Sequence, residues 1–149
     1  MKGLKAAMIA VVLIAILLSG CNRNAADMIE KGSLTINDEA KTISFSGVLT
    51  DGALEPNTPF QVRFFIQGKT MRDALGIDLI YVDEKLKSHK EGEKAKEHKV
   101  TKTVDIKKTE LMNKLISEIK NRDKEAITIE VVNDNGRIDD KVLHNVTKE

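Results

Sequence analysis

Apolar side chains recur with a period of two along most of the chain after residue 33, and this alternation constrains the fold more than any other feature. A period of two places alternate side chains on opposite faces of a β-strand. The alternation is clearest in residues 60–67, whose predicted buried face consists of Phe60, Val62, Phe64 and Ile66. Phe65 falls on the other face, which predicts a partly covered side chain near a sheet edge or, alternatively, an exposed aromatic contact for a partner.

Six further segments show the same alternation, and turn-forming residues separate them. They are centred on Leu34 and Ile36, on Ile43 to Leu49, on Ile77 to Val82, on Val100 to Ile106, on Ile127 to Val132 and on Val142 to Val146. Gly47 interrupts the second segment and is interpreted as a bulge. Residues 51–59 contain both prolines of the chain and predict a loop that crosses between two sheets. Asn135-Gly136 favours a tight hairpin turn between the last two segments.

One helix is predicted before this last hairpin. Thr109 is a plausible N-cap, and Glu110 would meet the positive end of the helix dipole. The apolar stripe of the helix is Leu111, Met112, Leu115, Ile116 and Ile119. The side chains expected to face water are Lys114, Glu118, Lys120 and Arg122. A stripe of this width is typical of a helix that covers a sheet.

The order of five strands, one helix and two strands predicts a mainly β domain, a two-sheet Greek-key sandwich of about seven strands. An α+β single sheet with one covering helix is the alternative. The order resembles immunoglobulin-like or transthyretin-like sandwiches, several of which place a short helix between their fifth and sixth strands. The resemblance is architectural, because the chain has no tryptophan and no pair of cysteines, which antibody-type domains use.

The first twenty residues differ sharply in composition from the rest of the chain. Lys2 and Lys5 precede a run of uncharged, apolar residues from Ala6 to Leu18. This run is shorter than the roughly 20 residues that a membrane-spanning helix needs, and its size is typical of a signal peptide. The preceding lysines favour an amino end in the cytoplasm, so the remainder of the chain is predicted to be exported.

The segment Leu18-Ser19-Gly20-Cys21 resembles the lipobox of bacterial lipoproteins. The resemblance implies cleavage between Gly20 and Cys21 and attachment of diacylglycerol to the Cys21 thiol. Cys21 is the only cysteine, so it has no intramolecular disulfide partner. Two acyl chains give stable membrane retention where one gives marginal binding. We therefore predict a signal peptide at residues 1–20, a lipidated amino terminus and tether at 21–32, and one β-rich domain at 33–149.

The same resemblance predicts a location on the outer face of the cell membrane, held by the lipid. In a Gram-negative host, asparagine at position 22 implies the outer membrane, since an aspartate there commonly marks retention in the inner membrane. Without the leader, the 24 basic residues lose Lys2 and Lys5, leaving 22 against 23 acidic residues. This balance offers no overall attraction to nucleic acid, so no nucleic-acid partner is predicted.

Residues 83–99 are rich in lysine, glutamate and histidine and contain almost no apolar side chains. Such a segment buries too little surface to order itself, which predicts a long solvated hairpin tip or, alternatively, a polar partner-binding loop. Deleting Glu84 to Glu97 is then expected to change the thermal midpoint little. His89 and His98 would be surface residues of this loop, and their spacing matches no compact metal motif.

No catalytic, cofactor-binding or metal-binding residue is predicted. His144 alternates with valines, which favours a packed strand residue over a general base. Residues 133–140 look like a calcium loop, but the motif's first and twelfth ligand positions would be Val131 and Val142, which cannot coordinate the ion. Ser44, Ser46 and Ser117 lack the glycine-rich elbow of a nucleophile. Asn145-Val146-Thr147 matches a glycosylation acceptor, which has no meaning in the bacterial context implied by the lipobox.

Two functional classes follow from the sequence. The first is a non-catalytic binding or envelope-assembly module, anchored to the membrane, with an envelope protein as partner and with phage or plasmid exclusion as a special case. The second is a small-ligand receptor or enzyme whose site consists of scattered polar residues. The absence of clustered catalytic residue types favours the first class.

Overall fold

The structure is a computed structural model that describes residues 26–149. Its elements, in chain order, are β1 (Ile29–Asn37), β2 (Thr42–Thr50), β3 (Pro59–Ile66), α1 (Lys69–Leu75), β4 (Leu79–Tyr81), β5 (Leu86–Lys87), β6 (Glu97–Asp105), a 3-10 turn (Thr109–Leu111) that continues into α2 (Met112–Lys120), β7 (Ile127–Asn133), β8 (Gly136–Val142) and β9 (Val146–Lys148). The predicted mainly β, two-sheet sandwich with a helix before the last hairpin is confirmed. The described chain has nine strands and a second helix, α1, that the sequence pattern did not predict.

The strands form two sheets. The first sheet has the order β6-β2-β1-β9, and the second has the order β4-β3-β7-β8, with β5 pairing beside β3. Neighbouring strands are antiparallel except β1 and β9, which are parallel. The loop at residues 51–59 carries the chain from the first sheet to the second, as predicted.

The core lies between the inner faces of the two sheets. Phe45 of β2 and Phe64 of β3 are fully buried, and their ring centroids lie 5.2 Å apart in a tilted arrangement. All four apolar residues predicted for the buried face of β3 are buried. The alternation of the sequence therefore identified the inner face correctly, because burial in a strand follows the two-residue pleat.

Gly47 is not a bulge. It keeps regular register in β2, opposite Gly32 and Val100. A Cβ atom at Gly47 would lie 2.5 Å from Ile129 Cδ1 on the facing sheet, so the glycine permits close approach of the two sheets. The irregularity in this sheet lies in β1 instead, between Ile29 and Lys31.

The amino-terminal boundary of the folded domain lies earlier than predicted. Residues 29–32, which we assigned to the tether, belong to β1 and pair with β2. The backbone N–H groups of Met28 and Ile29 both donate to Asp139 Oδ2, each at 2.9 Å. Met28 is fully buried. The polar pair Glu30 and Lys31 interrupts the apolar alternation, which is why the sequence pattern begins at residue 33, four residues after the start of β1.

The sequence pattern does not predict α1, because the apolar face of this helix is short. Met71, Ala74 and Leu75 are buried on one face at helical spacing. Gly76 ends the helix in the left-handed region at φ 70°, where its N–H donates to the Arg72 carbonyl at 2.7 Å. The predicted fourth strand consequently begins at Leu79 rather than at residue 77.

The stripe of α2 is confirmed, with Met112, Leu115 and Ile119 buried, but two details differ from the prediction. Thr109 is the first residue of the 3-10 turn and makes no side-chain cap. Glu118 does not simply face water, because its Oε1 atom is buried and has no hydrogen-bond partner among the described residues.

The last predicted strand divides into two parts that join different sheets. β8 ends at Val142, whereas Val146 lies in β9 and pairs with Leu34 of β1. His144 lies in the connection between them and not in a strand, and its Nδ1 donates to the Ile119 carbonyl at 3.1 Å. The hairpin turn is Asp134-Asn135, and a register shift between Val131 and Val132 displaces the pairing that the alternation predicted.

Candidate functional site

Both ends of the segment at residues 83–99 are folded onto the sandwich, whereas residues 90–96 between them are exposed. The predicted solvated hairpin tip is therefore confirmed for this middle part and wrong for the two ends. Leu86 of β5 pairs with Phe60 of β3. Ser88 is buried, and its Oγ donates to the Glu55 carbonyl at 2.6 Å and accepts the Thr58 N–H at 2.8 Å. These contacts are made by polar side chains and by the backbone, and therefore left no apolar signal in the sequence.

A buried carboxylate holds this segment in place. Asp51, at the end of β2, has no exposed surface. Its Oδ1 accepts the Lys96 N–H at 2.7 Å and lies 3.0 Å from His89 Nδ1. Its Oδ2 accepts the His89 N–H at 2.8 Å and lies 2.8 Å from His98 Nε2. We call Asp51, His89, Lys96 and His98 the Asp51 network.

The sequence predicted that both histidines are surface residues, and this prediction is wrong. Each side chain is only 13% exposed. Because an ionised carboxylate accepts hydrogen bonds and donates none, both rings must donate, which places a hydrogen on His89 Nδ1 and on His98 Nε2. The ring of His98 also stands edge-on to Phe60, with centroids 5.2 Å apart.

Asp51 remains ionised at neutral pH. Burial by itself raises the pKa of Asp51, but hydrogen bonds from His98, from the Lys96 amide and from His89 together outweigh burial and lower the pKa to about 2. With two donors on each oxygen, the carboxylate has no capacity left for a ligand. Within residues 26–149, no group of three or more histidine, cysteine or carboxylate side chains is arranged to hold a metal ion. The Asp51 network therefore fastens the 83–99 segment to the sandwich.

An open groove of about 440 Å³ lies on the outer face of the second sheet. It is lined by Pro59, Phe60, Gln61, Arg63, Tyr81, Lys85, Val132, Asn133, Asp134, Gly136 and Arg137. Its walls come from β3, β4, the start of the 83–99 segment and the β7–β8 hairpin. The groove thus combines apolar surface with three cationic side chains.

Two arginines of the groove share one buried carboxylate. Arg63 Nε donates to Glu130 Oε2 at 2.6 Å, and Arg137 Nη1 donates to Glu130 Oε1 at 3.3 Å. The Glu130 side chain is only 6% exposed, whereas those of Arg63 and Arg137 are 28% and 37% exposed. The carboxylate lies beneath the guanidinium groups and holds both at the surface of the groove.

Tyr81 completes this arrangement. Arg63 Nη1 donates to the Tyr81 hydroxyl at 3.3 Å, and the Arg63 guanidinium lies 6.0 Å from the Tyr81 ring centroid. The Tyr81 hydrogen bond, with the Glu130 contact, raises the pKa of Arg63 further above its ordinary value. Tyr81 is 43% exposed, which makes it the most exposed large apolar side chain among the described residues. An arginine fork beside an exposed tyrosine is suited to binding an oxygen anion that carries an apolar group.

The sequence had pointed to other residues. Phe65 is half-buried on the outer face of β3 and does not line the groove, in agreement with the partly covered alternative. Residues 133–140 form a hairpin, and the start of that hairpin contributes to the groove wall. Ser44 and Ser46 pair with Thr103 and Thr101 at 2.7 and 3.2 Å on the outer face of the first sheet.

The predicted lipidation and cleavage residues, Gly20 and Cys21, lie outside the described residues. The sequence does not distinguish the arginines of the groove, because isolated charges at outward strand positions are common. In the sequence, the apolar alternation places Arg63 and Glu130 at outward positions of their strands. It does not show that these two strands, β3 and β7, are neighbours.

Comparison with protein-family models, with curated proteins and with solved structures found no match to this chain. The architectural resemblance to immunoglobulin-like or transthyretin-like sandwiches therefore stays a prediction. Neither helix within residues 26–149 has the length and apolar composition that crossing a membrane requires.

Proposed function

We propose that this chain is a lipid-anchored, extracytoplasmic and non-catalytic binding or envelope-assembly module, which holds a segment of an envelope protein in the groove on the second sheet. The observation that carries the proposal is the placement of Arg63, Arg137 and Tyr81 around one open groove. A phage- or plasmid-exclusion lipoprotein is one special case of this class.

The composition of the groove favours a protein partner. Arginine and tyrosine are enriched among the residues that dominate the affinity of protein interfaces. The exposed ring of Tyr81 and the half-buried Val132 add apolar surface beside the cationic side chains. Such a surface matches a peptide segment that alternates apolar and acidic side chains better than a uniformly hydrophilic polymer.

The lipid anchor is supported by the leader and by the lipobox resemblance. Asp139 fixes the backbone at Met28, only seven residues after Cys21. Seven residues of fully extended chain span at most about 25 Å. An anchored Cys21 would therefore hold the sandwich, and with it the groove, close to the bilayer surface.

A small-ligand receptor is the second candidate function. The volume of the groove, about 440 Å³, falls within the range of pockets that take small molecules. This alternative uses the same residues and predicts binding without a protein partner, so the crosslinking experiment described below separates the two.

Replacing Cys21 with alanine is expected to abolish lipidation and leave an unprocessed precursor, because no other cysteine can accept the lipid. Metabolic labelling with a fatty-acid analogue, followed by membrane fractionation, measures both effects. Ser19→Ala is the matched control, since alanine is also small and should leave processing unchanged. Normal processing and labelling of the Cys21→Ala protein would contradict the anchor.

Placing the photo-crosslinker p-benzoylphenylalanine at position 81 in intact cells is expected to capture one discrete envelope protein, because Tyr81 stands exposed at the groove. The control places the same crosslinker at Thr103, an exposed position on the outer face of the first sheet. The captured protein, identified by mass spectrometry, should also co-purify with the unmodified chain. Identical capture at both positions, or none at position 81, would contradict a partner site in the groove.

A further inference from the structure

We infer that Arg63 and Arg137 together form a receptor for the carboxylate group of a single acidic side chain in the partner segment. The inference rests on the proposed function, since it assigns the chemistry that the partner presents to the groove. It names Arg63 and Arg137 as the residues that determine specificity.

The geometry orients the two guanidinium groups before any ligand arrives. Each arginine contacts a different oxygen of Glu130, which is almost fully buried and cannot move away to solvent. Arg63 uses Nε for Glu130 and Nη1 for Tyr81, so its Nη2 donors remain without an acceptor among the described residues. Arg137 uses Nη1 for Glu130, and its Nη2 is likewise uncommitted. Orientation of donors before binding reduces the entropy that binding must overcome.

The charges around the groove select the class of anion. Lys85 and Asp134 also line the groove, and Asp140 lies 3.5 Å from Arg137 Nε. With Glu130, the three cations and three carboxylates sum to zero formal charge. A bound phosphate carries close to two negative charges at neutral pH, whereas a bound carboxylate carries one. The phosphate would therefore be repelled more strongly by the three carboxylates of the groove. The arrangement therefore favours a monoanion that the guanidinium forks can bind directly.

The apolar part of the groove indicates what carries the carboxylate. The exposed ring of Tyr81 and the half-buried side chain of Val132 lie on the same groove surface as the arginines. A carboxylate on a short hydrocarbon chain, as in a glutamate side chain, can place its carbons on this surface while its oxygens reach the arginines. Inorganic anions lack this second contact.

The inference is tested on the full-length protein in detergent by nuclear magnetic resonance of its arginine Nε–H groups. The chain has only five arginines, at positions 23, 63, 72, 122 and 137, so each resonance can be assigned by substitution. Titration with sodium propionate at constant ionic strength is expected to shift the Arg63 and Arg137 resonances saturably and to leave Arg72 unchanged. Inorganic phosphate should require a several-fold higher concentration. Shifts that do not saturate, that equally affect Arg72, or that favour phosphate would overturn the inference.

A crosslinking experiment in intact cells tests the carboxylate receptor separately from the proposed function. In the Arg63→Lys and Arg137→Lys double variant, crosslinking from position 81 is expected to fall about tenfold, because lysine keeps the charge and loses the planar fork. Arg72→Lys with Arg122→Lys is the matched control, since both residues are exposed on the surface. A normal melting temperature of the double variant establishes that it is folded.

The outcomes of this crosslinking experiment are distinct. Unchanged capture by the folded double variant would overturn the carboxylate receptor while leaving the groove as the partner site. Absence of capture from position 81 in the otherwise unmodified protein would overturn the proposed function, whatever the arginine resonances show.

Discussion

Replacing Asp51 with asparagine is expected to lower the free energy of unfolding by about 2–4 kcal/mol, because buried donors lose their acceptors. The backbone N–H of Lys96 points at one carboxylate oxygen and that of His89 at the other. An asparagine amide has an acceptor on only one side, so in either orientation one backbone N–H faces the NH₂ group. The histidine rings can change tautomer, but a backbone amide cannot. Urea or thermal unfolding followed by circular dichroism measures the loss.

Asp78→Asn is the matched control for this substitution. Asp78 is exposed and its carboxylate makes no hydrogen bond among the described residues, so the change in stability should stay within about 0.5 kcal/mol. An equal effect of both substitutions would show that the loss at position 51 reflects charge alone and not the Asp51 network.

The Asp51 network also predicts a particular response to acid. The pKa of Asp51 is about 2 in the folded chain, below its ordinary value of 3.8. A group whose pKa is lowered by folding stabilises the folded state above its unfolded pKa and loses this contribution as pH falls through the folded value. The stability difference between the unmodified protein and Asp51→Asn should therefore persist at pH 5 and shrink by about 2 kcal/mol between pH 4 and pH 2. A difference that stays constant over this range would contradict the assignment.

Deleting Glu84 to Glu97 is expected to destabilise the domain more than any single substitution at Asp51. The deletion removes β5, Ser88 and three of the four donor groups that contact Asp51, and it uncovers the carboxylate and part of Phe60. The loss should exceed about 4 kcal/mol, a large part of the 5–15 kcal/mol by which a domain of this size is normally stable. Limited proteolysis and thermal unfolding of the purified protein should show a largely unfolded chain.

The control for the deletion changes only the tip of the segment. Replacing Glu91, Glu93 and Lys94 with serine keeps the length and leaves the Asp51 network intact. The Glu93–Lys96 ion pair that this variant loses is exposed, and exposed pairs contribute little. The tip variant should remain within about 0.5 kcal/mol of the unmodified protein. If the full deletion were equally harmless, the segment would be the solvated loop that its composition had suggested.

The fold could be predicted from the sequence where burial follows a local period. The alternation in β2 and β3 and the stripe of α2 identified their buried faces, since these patterns depend only on how each element orients successive side chains. The prediction was wrong where the pattern was short or continued past the end of a strand. Helix α1 buries only three residues. The alternation of Val142, His144 and Val146 continues across the end of β8 and so hid its division from β9.

The candidate site could not be predicted in the same way. Asp51 and His98 are 47 residues apart, and Arg63 and Glu130 are 67 residues apart. Single polar residues at such separations carry no periodic signal. Their meeting depends on which strands become neighbours and in which register they pair.

The sequence by itself determined a β-rich domain and the inward face of its main strands, since both depend on residues that are close together along the chain. The lipoprotein-like leader stays a prediction. Only the tertiary structure decided that the charged segment is fastened to a buried aspartate and that two arginines share Glu130 beside Tyr81. The physical reason is that burial within a strand is a local property. The partner of a buried charge is instead set by the packing of distant strands.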